Sequence, residues 1–82
     1  MNLASYTQAL EQAERISVEI EQAMVVIYWD YNTQFTSALL TSYTESCVGF
    51  PGCTLAASVD HEGIITESRW VKEQLGLAEV AA

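Results

Sequence analysis

The chain has 82 residues, half of them apolar, and sets three basic side chains (Arg15, Arg69, Lys72) against eleven acidic ones, giving a formal charge of −8 and a pI near 4.2. That length predicts a single small domain over residues 1–82 with a thin core, and the apolar share is too high for a disordered chain. The charge argues against direct nucleic acid or anionic membrane binding, which need cationic protein surface, and favours a basic surface on another protein, although solubility alone also explains it.

The opening residues, MNLASYTQAL, lack the basic-then-apolar layout of a secretory leader. No apolar run approaches the about 20 residues that cross a bilayer. A cytoplasmic protein is expected. Ser5-Tyr6-Thr7-Gln8 fits a capping box, with Asn2 as a rival N-cap. After it, Tyr6, Leu10, Ala13, Ile16 or Ser17, Ile20, Met24 and Ile27 recur at steps of three and four, while Gln8, Glu11, Gln12, Arg15, Glu19 and Gln22 take the other side. The spacing predicts one amphipathic helix over about 5–29, because no Gly, Pro or turn cluster separates Glu21 from Asp30.

Its far end, AMVVIYW at 23–29, is apolar all round. On a helix, Val18, Val25 and Trp29 fall near one line opposite the core stripe, which makes them candidates for self-association, with a homodimer as an open option. The same run has the Val, Ile, Tyr and Trp content of a strand. After the turn residues DYNTQ, Phe35, Ala38, Leu39 and Tyr43 make a second helical stripe over 33–46, antiparallel to the first and rich in hydroxyls at Thr36, Ser37, Thr41, Ser42, Thr44 and Ser46.

VGFPG then breaks the pattern between Cys47 and Cys53, read as reduced thiols with a short loop disulfide as the alternative. Asp60-His61-Glu62-Gly63 fits a turn between strands 54–59 and 64–69, or the end of a short helix begun at Thr54. Thr66 as N-cap, an Ile65–Trp70 staple and Gly76 as terminator predict a helix over 67–75. The fold expected is therefore mainly α: a helical hairpin plus a short C-terminal helix. The alternative is α+β, with strands near 24–30, 54–59 and 64–69.

No catalytic motif accompanies these elements. A Cys–His dyad from Cys47 or Cys53 with His61 lacks any oxyanion or substrate-binding element, and His61 between Asp60 and Glu62 lacks the convergent ligands of a metal site. No enzyme activity, cofactor or metal is expected. Two capped helices near 54–76 resemble a helix-turn-helix, but Glu67, Arg69, Lys72 and Glu73 supply too little positive charge for phosphates.

What remains is protein–protein association. Glu11, Glu14 and Glu21, continued by Asp30, supply carboxylates for a basic partner, and Trp29 and Tyr31 supply aromatic anchors of the kind that dominate interfaces. Small acidic proteins with this profile are often inhibitors from phages or mobile elements that occupy nucleic-acid-binding surfaces, an analogy of composition only. A structural or assembly subunit that self-associates through its long helix is the second expectation.

Overall fold

The computed structural model describes residues 3–46 and 51–81, with side chains for 3–45 and 51–76. Its elements are helix α1 (Leu3–Ile20), strands β1 (Met24–Trp29) and β2 (Gln34–Leu39), helix α2 (Leu40–Ser46), strands β3 (Cys53–Val59) and β4 (Ile65–Glu67), and helix α3 (Arg69–Ala81). The four strands form one antiparallel sheet in the order β2-β1-β3-β4. This overturns the mainly helical reading. The α+β alternative anticipates β1, β3 and β4, whereas neither reading contains β2.

The decisive point is the end of α1. Glu21 adopts φ +56° and the Gln22 amide reaches back to the Ser17 carbonyl at 3.2 Å. This is a Schellman termination with Glu in the left-handed position that glycine usually fills. The helix therefore stops without the glycine that marks such a stop in sequence, and AMVVIYW enters the sheet as one of its two inner strands, paired on both sides. Met24 to Ile27 are all buried. The continuous apolar run is thus that of a strand covered on both faces.

Alternation along β1 divides its side chains between the two faces. Met24, Val26 and Tyr28 join Phe35, Ala57 and Val59 beneath α1. Val25 and Ile27 turn to the opposite face, where both are fully enclosed; α2, on the β2-to-β3 connection, contacts β1 and β2. The chain buries its own apolar run.

Helix α1 meets the sheet through small side chains. Ser5, Ala9, Ala13 and Ser17 follow one another at steps of four and are all buried, with Tyr6 beside them. Tyr6, Ala13 and Ser17 belong to the predicted stripe, whose larger aliphatic members run along the flank: Leu10 and Ile16 are only half-buried, and Ile20 is exposed. Ser5 does not cap the helix. Its hydroxyl accepts the Phe35 amide at 2.8 Å and so ties α1 to β2.

Two further expectations are corrected. The 33–46 helix is a strand for its first half, and Phe35 is core, edge-on to Tyr6 with ring centroids 5.0 Å apart. The C-terminal helix begins later than 67 and runs through Gly76: Ser68 caps it, accepting the Val71 amide at 3.2 Å, and Trp70 packs on Tyr28 with centroids 5.1 Å apart. The Asp60–Gly63 turn forms as read in its strand version. The Asp60 carboxylate accepts the Glu62 and Ile64 amides, each at 2.9 Å, and Gly63 takes φ +86°.

Candidate functional site

The β1–β2 hairpin places the aromatic pair singled out in the sequence. Tyr28 points into the core, so Trp29 points to the face away from α1, where its indole Nε1 donates to Thr36 Oγ1 at 2.7 Å. That bond fixes the ring. The chain then turns through residues 30–33, with Thr33 at φ +56° and the Asn32 carbonyl oxygen of the side chain accepting the Gln34 amide at 3.1 Å. A β-branched residue in the left-handed region is uncommon and costs on the order of 1 kcal/mol. It is held here at the tip of the hairpin.

Tyr31 sits on that tip, 83 % exposed, with its ring edge-on to Trp29 and centroids 6.2 Å apart. Trp29, Asp30, Tyr31, Pro51 and Gly52 together line an open concavity of about 420 Å³. Its wall is tied to the tip by the Asp30 amide, which donates to the Gly52 carbonyl at 2.9 Å, and Gly52 makes the turn at φ +86°. The lining is aromatic and aliphatic apart from Asp30. Pro51 and Gly52 are the residues sequence reading missed; their role there was only to break a helix, since nothing in sequence says that β3 pairs with β1 and brings them beside the tip.

The remaining candidate residues lie elsewhere. Glu11 and Glu14 are exposed on α1, and Glu21 ends that helix at the Met24 end of β1, a strand length of about 20 Å from Asp30. The carboxylates and the aromatic anchors therefore do not form one stripe. Nor do Val18, Val25 and Trp29 share a helix face: Val18 is half-exposed on α1, Val25 is wholly enclosed in β1, and Trp29 lies at that strand's far end.

Cys53 opens β3 and His61 lies in the turn beyond its other end, about 20 Å away along the strand, so these two do not meet as a dyad. Cys47 lies outside the described residues. His61 is exposed, its Nε2 3.9 Å from Glu62. Among the described residues there is no group of three or more His, Cys, Asp or Glu placed to hold a metal ion, and no helix long and apolar enough to cross a membrane. No protein-family model matches this chain, and no curated protein or solved structure matches it significantly.

Proposed function

We propose that this chain is a small acidic protein-interaction module of the cytoplasm that docks its β1–β2 hairpin tip on a basic surface of a partner protein. The observation that carries the reading is Tyr31, a large aromatic side chain left almost wholly in solvent beside Trp29 and Asp30 at the mouth of a concave site. Folding gains little from a tyrosine so exposed, whereas interfaces concentrate their binding energy in such residues. Asp30 and the overall charge of −8 fit a cationic partner. Nucleic-acid-binding domains present basic patches of the kind that would attract such a module, and an inhibitor that occupies one of them is the reading we favour.

The separation of the two groups of residues divides the work between them. The carboxylates of Glu11, Glu14 and Glu21 attract a basic partner at long range, and the hairpin tip anchors it. Stopped-flow and calorimetric titration with a basic polypeptide tests this division. The triple variant Glu11→Gln/Glu14→Gln/Glu21→Gln is expected to slow association and flatten its salt dependence, and Tyr31→Ala to weaken binding by about tenfold or more, chiefly through faster dissociation. Wild-type binding that is unchanged in Tyr31→Ala contradicts the reading.

A further inference from the structure

Resting on that reading, we infer that the concavity at the hairpin tip is a subsite for one arginine side chain of the partner. The shape of the lining and its charge both point there. An arginine has an apolar stem and a planar cationic head. Trp29, Tyr31 and Pro51 supply apolar surface for the stem, and Asp30 is the one acidic residue among those that line the site.

The two rings are set at 68° to each other with centroids 6.2 Å apart, so their faces make a corner rather than a closed stack. Aromatic faces carry negative electrostatic potential and attract a cation lying over them, a guanidinium more often than an ammonium. A carboxylate such as that of Asp30 accepts two parallel bonds donated by the planar fork of a guanidinium, where an ammonium offers only a point charge. None of the chain's own basic residues lines the site: Arg15 lies on α1, and Arg69 and Lys72 on α3, with Arg69 Nε already bonded to Glu73 at 3.2 Å.

The corner is also prepared before binding. Trp29 is held by Thr36, and the tip is held to Gly52 through the Asp30 amide. Little ordering is then left for the ligand to impose, which is the condition under which a small subsite contributes to affinity.

The test is a nuclear magnetic resonance titration of the isotope-labelled chain with three capped peptides, Gly-Gly-X-Gly-Gly, in which X is arginine, lysine or citrulline. Citrulline keeps the stem and the planar head and removes the charge. The expected result is that the arginine peptide shifts the Trp29 indole and the Asp30, Tyr31 and Gly52 amides, that citrulline binds about tenfold more weakly, and that lysine falls between them. Tyr31→Ala, whose exposed side chain makes it safe for folding, is expected to lose the response while keeping a dispersed spectrum.

Equal responses to arginine and citrulline overturn the charge selection, and equal responses to arginine and lysine overturn the guanidinium assignment. Absence of any shift at the tip overturns the subsite. If the arginine peptide instead shifts Glu11 and Glu14, the subsite is overturned while the acidic-module reading stands; that reading fails separately, in the polypeptide titration, if basic chains do not bind at all.

Discussion

Glu21 occupies a position that local physics disfavours twice. It takes the left-handed conformation that costs a residue with a Cβ, and it puts a negative charge at the negative end of the α1 dipole, where the last turn has no basic side chain to offset it. Glu21→Gly is expected to raise stability by up to about 1 kcal/mol, read from the midpoint of urea unfolding; a loss of stability would contradict the Schellman assignment. Tyr6 shows the opposite case, a polar group satisfied at depth. Its hydroxyl donates to the Glu67 carboxylate, and burial first, then that bond and charge, hold it protonated well above the ordinary tyrosine range. The unfolded chain releases this proton at about pH 10, the folded chain only above that, so the stabilisation is complete below about pH 10 and is lost as pH climbs toward the folded value. Tyr6→Phe is therefore expected to cost about 1 kcal/mol at neutral pH and to flatten the decline of stability in alkali. An alkaline profile identical to wild type would contradict the Tyr6–Glu67 link.

At the scale of elements, β1 is the part most open to a decisive test. Val18→Glu replaces a half-exposed side chain and is expected to change stability by less than about 0.5 kcal/mol. Val25→Glu puts a charge into an enclosed strand and is expected to cost on the order of 5 kcal/mol, enough to unfold a domain of this size, as circular dichroism would show. Similar tolerance of both changes would restore the long helix. The pair also marks what could be read from the chain alone. The apolar role of Phe35 and the helical character of 5–20 follow from local chemistry and were legible, whereas Asp60–Gly63 was legible as a break in the chain but not as a hairpin rather than a helix end. The end of α1 was not, because a glutamate serves where glycine is the usual sign, and a periodic apolar pattern then runs on unbroken into β1. The buried face of α1 was read correctly at Tyr6, Ala13 and Ser17 but missed Ser5 and Ala9, because close approach to a sheet selects small side chains that no hydrophobicity scale favours over Ile16 or Ile20. Trp29 and Tyr31 stood out as anchors, while Pro51 and Gly52 did not, since only the pairing of β1 with β3 brings them to the tip.

For the whole molecule, enclosure of AMVVIYW by its own chain removes the original reason for expecting a second copy. Light scattering on a sizing column is accordingly expected to give the monomer mass at low and high salt. A salt-resistant dimer that Val18→Glu dissociates would instead favour assembly through the exposed apolar residues Val18, Ile64 and Ile65. In the monomer, surface charge of one sign acts at a distance and the hairpin tip acts on contact, so the identity of whatever touches Tyr31 decides between a module for basic partners and any other role. The most direct measurement is photocrosslinking from that position, with Tyr31→p-benzoylphenylalanine in the native host cell and mass spectrometry of the product. The expected result is a basic protein joined through a peptide that contains arginine, lost when excess nucleic acid occupies the same surface. A crosslink to an acidic protein, or to a second copy of this chain, would contradict the proposal.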